Sequence, residues 1–191
     1  MDYNIIRTRN VSTYLYLRRM DLRNAILEEH SREQTLKIAA WIGKDKKRFA
    51  ALLQLFLHDE YRVVQRAAWT LRHVAEHHPP IITPHLDEIV ERLGHDGIPV
   101  AVKRNVMAVL QQIQIPEKLH GEVMNYCFDF LQDPQETIAV KAFCMTILGN
   151  LAQSYPEIKN EIVLVIEDLL EQGASAGIRS RAKKTLKALG K

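Results

Sequence analysis

Apolar residues recur along this chain at helical spacing, and one pattern of three apolar residues occurs in four copies. Each copy consists of three residues four positions apart, and successive copies are separated by 39, 38 and 38 positions. The copies are Val63, Ala67 and Leu71; Val102, Val106 and Leu110; Val140, Cys144 and Leu148; and Ile178, Ala182 and Leu186. This spacing places side chains on one face of a helix, and no stretch shows the period-two alternation of a strand. The pattern predicts an all-α protein with a repeat of about 38 residues.

Capping residues and breakers divide the apolar segments into successive helices. Ser31 and Gln34 have capping-box spacing. Asp133, Pro134 and Glu136 follow the order of a cap, a proline and an acid, which predicts a helix start at Asp133. The expected helices cover approximately 21–30, 31–43, 45–58, 59–77, 83–94, 100–114, 116–131, 133–154, 156–173 and 175–189.

The length of the repeat also predicts how the helices assemble. Units of this length bury their apolar faces against neighbouring units, which makes an α-solenoid. With 191 residues, 47% of them apolar, we expect one solenoid domain over residues 20–191. Residues 1–19 carry four arginines against one acid, and Met20 followed by Asp21 reads like a natural start. We expect residues 1–19 either to be an annotation extension or to form a basic arm over the first unit.

Three segments carry a family resemblance. In 102–106, 140–144 and 178–182 a Val or Ile is followed directly by a basic residue, and a small or apolar residue stands one helical step further on, four positions after the Val or Ile. Together with the paired helices, this resembles the HEAT repeat, in particular short, stand-alone domains of the bacterial type, over about residues 32–189. The first copy departs from the pattern, because Val64 stands where the basic residue is expected. The resemblance implies a right-handed α-α superhelix, HEAT/ARM-like, of about five helix pairs with a concave surface. Such arrays serve as scaffolds, transport receptors and, in one bacterial group, DNA glycosylases.

The basic residue of each copy has a structural interpretation. In arrays that resemble this one, such a side chain reaches the turn aspartate of an adjacent unit. We therefore expect Lys103, Lys141 and Arg179 to form a ladder with Asp59, Asp96 and Asp133 that sets the register between repeats.

The face opposite the apolar line predicts a partner-binding surface. At 100° per residue, Gln65, Trp69 and Arg72 lie opposite Val63, Ala67 and Leu71. The equivalent positions are Arg104, Ala108 and Gln111, then Ala142, Thr146 and Gly149, and finally Ser180, Lys184 and Lys187. Small residues permit close approach, and Trp and Arg often anchor interfaces. We predict that a protein or peptide contacts Arg62, Gln65, Trp69, Arg72, Arg104, Gln111, Lys184 and Lys187. In the alternative, Trp69 covers the preceding helix around Ala40 and Trp41.

Charge separates two function classes. The net charge is +3 at residues 1–19, −6 over 20–173 and +6 from 174 to the end, so the body is acidic and the ends are basic. A protein that grips nucleic acid along its length usually has a basic field over that surface. A non-catalytic protein-binding scaffold is therefore the expected function. Nucleic-acid binding, including a DNA-glycosylase-like activity, is the alternative.

Other chemistries lack residue support. There is no glycine-rich phosphate loop, nucleophile elbow or His-Glu-x-x-His motif, so we expect no catalytic residue and no cofactor. His73 and His77 are one helical turn apart, but no further ligand completes a metal pattern, and we expect no metal. No apolar run is long enough for a membrane span, so a cytoplasmic protein is expected. Cys127 and Cys144 fall on apolar positions and are expected to be free thiols.

Overall fold

The structure is a computed structural model that describes residues 20–191. The expectations for residues 1–19 lie outside the described residues. Helices and turns, without a strand, make up the described part of the chain, so the all-α prediction is confirmed. Two compact units divide the chain, one ending at Ile81 and the other beginning at Ile82. Ten helices and one further short helix follow one another in residues 20–191, and the sequence predicts ten.

Unit 1 contains four helices before the short α5. They are α1 (Leu22–Glu28), α2 (Arg32–Ile42), α3 (Lys46–His58) and α4 (Tyr61–His77), and α5 (Pro79–Ile82) follows. Asp21, Ser31 and Asp45 cap the first three helices through side-chain oxygens that accept backbone N–H bonds. Helix α4 packs against α1, α2 and α3. Its central position explains why Val63, Ala67 and Leu71 are completely buried.

Unit 2 contains six helices and four short 3₁₀ segments. The helices are α6 (Leu86–Glu91), α7 (Val100–Leu110), α8 (His120–Gln132), α9 (Ile138–Leu151), α10 (Lys159–Glu171) and α11 (Ala176–Leu189). The turns cover Thr83–His85, Glu117–Leu119 and Pro156–Ile158, and a fourth 3₁₀ segment, Arg92–Gly94, extends α6. Helix α9 packs against α7, α8, α10 and α11. The repeated apolar line is buried throughout this unit except at Leu186, which is half-buried.

Two predicted helix starts are wrong. Helix α9 begins after Thr137, whose hydroxyl caps it, and not at Asp133. Asp133 ends α8, and its carboxylate accepts the backbone N–H of Gln135 at 2.8 Å. Helix α4 follows Glu60, which makes no side-chain cap, although Asp59 was the expected start. In both places the aspartate expected to cap the helix accepts a backbone N–H bond in the turn before the helix. A short aspartate side chain can bond to turn amides as well as to the first amides of a helix.

The predicted ladder of basic residues and turn aspartates is also wrong. Lys103 Nζ lies 2.5 Å from Glu136 Oε2, which is not one of the three expected aspartates. Lys141 Nζ donates to the carbonyl of Leu131 at 3.0 Å, and Arg179 donates to the carbonyl of Ala174.

The aspartate expected to begin the ladder has a different partner. Asp59 pairs with Arg23 at 2.9 Å, and the hydrogen bond from Arg23 holds the pKa of Asp59 below its ordinary value. Lysine and arginine side chains can donate to a backbone carbonyl as well as to a carboxylate, because both oxygens are hydrogen-bond acceptors.

Candidate functional site

The residues of α4 that the sequence predicts as partner contacts lie in unit 1, and they differ in exposure. Arg62 is exposed, whereas Gln65, Trp69 and Arg72 are half-buried. We call Gln65, Trp69 and Arg72 the α4 strip. The strip carries two large side chains of the types that anchor interfaces, and each keeps part of its surface open to solvent.

Trp69 is held between two histidine rings. Its ring meets the edge of His30 at a centroid separation of 5.5 Å and an interplanar angle of 88°, and lies 6.1 Å from His73. His30 follows the end of α1 and was not singled out in the sequence, because its position opposite α4 depends on how α1 packs. Trp41, the residue named in the alternative for Trp69, lies under the guanidinium of Arg48 at 4.4 Å. Edge contacts with rings fix the orientation of the indole.

A polar triad follows Trp69 on the same helix. Arg72 Nε lies 2.8 Å from Glu76 Oε1, and His73 Nδ1 lies 2.7 Å from Glu76 Oε2. Burial alone would raise the pKa of Glu76, but the hydrogen bonds and charges of Arg72 and His73 hold that pKa below its ordinary value. Glu76 is therefore a carboxylate near neutral pH, and His73 Nδ1 must carry the proton in their shared hydrogen bond. Arg72, which the sequence predicts as a partner contact, is thus already paired within α4.

Beside this triad, α2 and α4 enclose an open cleft of about 480 Å³, which we call the histidine cleft. Its lining comprises Leu36, Ala39, Ala40, His73, His77 and His78. His77 Nδ1 lies 2.8 Å from the carbonyl of His73 and donates to it. The sequence indicated the His73 and His77 spacing, but only the packing of α2 on α4 places an apolar wall opposite these rings. The described residues hold no group of three or more His, Cys, Asp or Glu side chains arranged for a metal ion.

In unit 2 the predicted strip does not continue as an exposed surface. On α7, Arg104 is exposed and Gln111, directly after the helix, is half-buried. Ala108, which the sequence places on the same strip, is completely buried, and that prediction is wrong. The reason is that α7 is covered on most of its circumference, since every residue from Asn105 to Leu110 is buried.

The positions on α9 that correspond to the α4 strip face another helix. We call Ala142, Thr146 and Gly149 the α9 strip; all three are half-buried. Thr146 Oγ1 accepts a 2.7 Å hydrogen bond from Arg181 on α11, and a Cβ at Gly149 would lie 3.4 Å from Thr185 Cγ2. Because the residues of this strip are small, α11 packs closely against α9.

The remaining predicted residues lie on the solvent side of α11. Lys184 and Lys187 are exposed, opposite the buried Ile178 and Ala182. Arg179, Lys183 and Lys191 are exposed as well. We call four residues of α11, together with Lys191 just after it, the cationic face of α11; the four are Arg179, Lys183, Lys184 and Lys187. None of the five forms an ion pair with another residue in 20–191.

Comparison with known proteins gives one finding. A family model described as a HEAT repeat domain matches residues 22–189. Neither a curated protein nor a solved structure matches the chain. Across the described residues, no helix is both long and apolar enough to cross a membrane.

Proposed function

Because the chain belongs to the HEAT repeat family, we propose that it is a non-catalytic scaffold or adaptor that binds a protein or peptide. Helical repeats of this family commonly mediate protein interactions, which supports the proposal. The proposal includes a cytoplasmic location. Two buried cysteines that form no disulfide are consistent with the reducing conditions of that compartment. Cys127 and Cys144 are free, and burial raises the pKa of the Cys144 thiol, which disfavours the reactive thiolate.

The observation that carries the proposal is the partly exposed Trp69 beside the histidine cleft. A large ring held by His30 and His73 loses little conformational freedom when a partner covers it. Partner contacts at such an anchor are the ones that dominate binding free energy. Arg62, one turn before Gln65 on the same helix, is an exposed cation that can contribute polar contacts at the rim.

The test compares the wild-type chain with Trp69→Ala. Each is immobilised and exposed to nuclease-treated lysate from the original cells, and a retained protein is identified, purified and titrated against both. We expect binding to weaken at least about 30-fold, equivalent to about 2 kcal/mol, as for a hot-spot aromatic. Tyr61→Ala is the matched control, because Tyr61 is an exposed aromatic residue on α4 outside the strip. An equal loss in both variants, or none in Trp69→Ala, would contradict the proposal.

A second candidate function, nucleic-acid binding, is favoured by the cationic face of α11. If it is correct, Lys184 and Lys187 neutralise phosphates and Arg104 is a further candidate contact, as a DNA-glycosylase-like protein would require. The logarithm of the binding constant would then fall with the logarithm of salt concentration by about 0.9 per phosphate contact. Exchange of Lys184 and Lys187 for serine would reduce that slope. A protein partner anchored by Trp69 would show a shallow slope that these exchanges leave unchanged.

A further inference from the structure

Four exposed acids surround one exposed leucine on α10. Leu164 is 67% exposed, the largest fraction of any large apolar residue in 20–191, and at 100° per residue the four acids lie within about 60° of it. Asp168 accepts a hydrogen bond from the neutral side chain of Gln172, and none of the four acids forms an ion pair with a residue in 20–191. We call Leu164 and these acids the acidic face of α10; the acids are Glu161, Glu167, Asp168 and Glu171.

The acidic face of α10 and the cationic face of α11 lie on helices that pack against each other, but they do not neutralise each other. Among the described residues, no ion pair joins α10 to α11. The segment 174–191 contains no acid. Each face therefore presents uncompensated charge at the surface of unit 2. A second chain that carries the complementary face can pair with charges that are left unpaired within the first.

The two faces also match in length and in spacing. The acids extend over 161–171, about 15 Å along the helix axis, and the cations of α11 extend over 179–187, about 12 Å. In both faces charges recur four residues apart, which is about 6 Å along the axis. Leu186, three residues after Lys183 and on the same side of α11, is half-buried and offers apolar surface beside the cations. Two such helices laid side by side can bring carboxylates, cations and leucines into contact together.

We propose that α10 of one copy of this chain docks on α11 of a second copy. The acidic face of α10 lies on the cationic face of α11, and Leu164 packs against Leu186. An exposed leucine surrounded by charges has the arrangement of an apolar interface centre with a polar rim. Every copy carries both faces, so two copies related by a two-fold axis make this contact twice. The inference goes beyond the proposed scaffold function and does not depend on it, because both faces belong to unit 2 and Trp69 belongs to unit 1.

Nucleic acid is the other anionic partner to consider for the cationic face, and the charges of unit 2 favour a second copy over it. A duplex carries negative charge along its whole length. The exposed acids of α10, the helix packed against α11, would repel the phosphates that extend past the cations. A second copy has the opposite effect, since its own cationic face pairs with those acids.

The experiment measures the mass of the full chain in solution. The protein is treated with nuclease, freed of nucleic acid and studied by sedimentation equilibrium up to millimolar concentration, because exposed ion pairs each contribute little. Two salt concentrations are compared, about 0.01 M and about 1 M, at which the Debye length is about 30 Å and about 3 Å. At the lower salt concentration, we expect the average mass to rise with protein concentration from 22.0 kDa toward twice that value. At the higher one, the mass should stay near 22.0 kDa.

Charge reversal on each face tests the assigned contact. Lys183→Glu/Lys187→Glu reverses part of the cationic face, and Glu167→Lys/Glu171→Lys reverses part of the acidic face. Each double variant alone should remain monomeric at low salt, because like charges then oppose each other. An equimolar mixture of the two variants should associate, since each reversed face is complementary to the reversed face of the other.

Two further variants distinguish docking from general attraction between charges. Lys46→Glu/Lys47→Glu, at exposed positions of α3 in unit 1, changes the net charge by the same amount as the reversal on α11 and should associate like the wild type. Leu164→Ala keeps every charge and should weaken association about 10-fold, as expected when one leucine no longer becomes buried. All replaced residues are exposed, and thermal unfolding reports whether each variant is folded.

Four results would overturn the inference. They are a monomer at every concentration in low salt, association that the reversal on α11 leaves unchanged, association that Leu164→Ala leaves unchanged, and association that disappears on nuclease treatment. The last result would support nucleic-acid binding instead. The scaffold proposal is tested separately by Trp69→Ala and a retained partner, so either proposal can fail while the other holds.

Discussion

The α4 strip of unit 1 and the α9 strip of unit 2 occupy the same positions in the repeat, but they meet different surroundings. In unit 1 the positions hold Gln65, Trp69 and Arg72, which keep part of their surface open beside a cleft. In unit 2 the corresponding small residues pack against α11, which contacts them with Arg181 and Thr185. The comparison teaches that register alone does not determine exposure. The size of the side chains determines how closely the next helix approaches.

The largest expected effect tests the buried ion pair of unit 2. The Glu136 side chain is 1% exposed and its charged partner is Lys103. Lys103→Met leaves a buried carboxylate without its charged partner, and we expect a loss of about 3–5 kcal/mol in the free energy of unfolding. Urea denaturation measures this value.

The counterpart in unit 1 provides the control. Arg23 pairs with Asp59 on the exposed side of the unit, so Arg23→Met should change the unfolding midpoint far less than Lys103→Met. Restoration of stability in the double variant Lys103→Met/Glu136→Leu would show that the cost comes from the uncompensated charge. Equal midpoints for the wild type and Lys103→Met would contradict the prediction.

A smaller effect is expected where α11 packs on the α9 strip. Gly149→Leu places a side chain against Thr185, and such overpacking costs about 1–3 kcal/mol. Replacement of glycine within a helix also stabilises by about 0.8 kcal/mol. Gly121→Leu in α8 isolates this gain, because a Cβ at Gly121 meets no atom within 4 Å. The difference in unfolding free energy between the two variants therefore measures the contact between α9 and α11, and a difference of zero would disprove it.

The smallest effect concerns acid sensitivity in unit 1. Because Arg72 and His73 hold the pKa of Glu76 below its ordinary value of 4.5, the carboxylate contributes stability that is present above that value. The contribution is lost as the pH falls through the pKa of the folded protein. Thermal unfolding of the wild type and Glu76→Gln should therefore differ at neutral pH and converge in acid. Glu167→Gln, at an exposed position on α10, should show no comparable convergence. A pH-independent difference for Glu76→Gln would contradict the assignment.

Much of the fold was predictable because it depends on local rules. Ser31 and Asp45 cap the helices that the sequence assigns to them, since a cap is formed by neighbours within three residues. Asp133 misled the prediction because a turn and a helix cap use the same side-chain geometry, and the choice depends on where α9 packs. Lys103 contacts Glu136 and not a turn aspartate for a similar reason, because a flexible side chain bonds to whichever acceptor the packing places within reach.

The candidate site was predictable only in part. Trp69 could be placed on the face opposite Val63, Ala67 and Leu71 by helical periodicity alone. Its contact with His30 could not, because α1 and α4 are distant in sequence and their approach is a product of packing. The unpaired Nε2 of His73 has no sequence signal at all, since it depends on burial by neighbouring helices.

By itself, the sequence determined the all-α class, the repeat of about 38 residues and the apolar line on α4, α7, α9 and α11. These features follow from periodicities along one chain segment. Only the tertiary structure decided that Ala108 is buried, that α11 covers the α9 strip and that an imidazole-lined cleft lies between α2 and α4. These features depend on distances between helices. Such distances are set by close packing of many side chains at once, which no single stretch of sequence specifies.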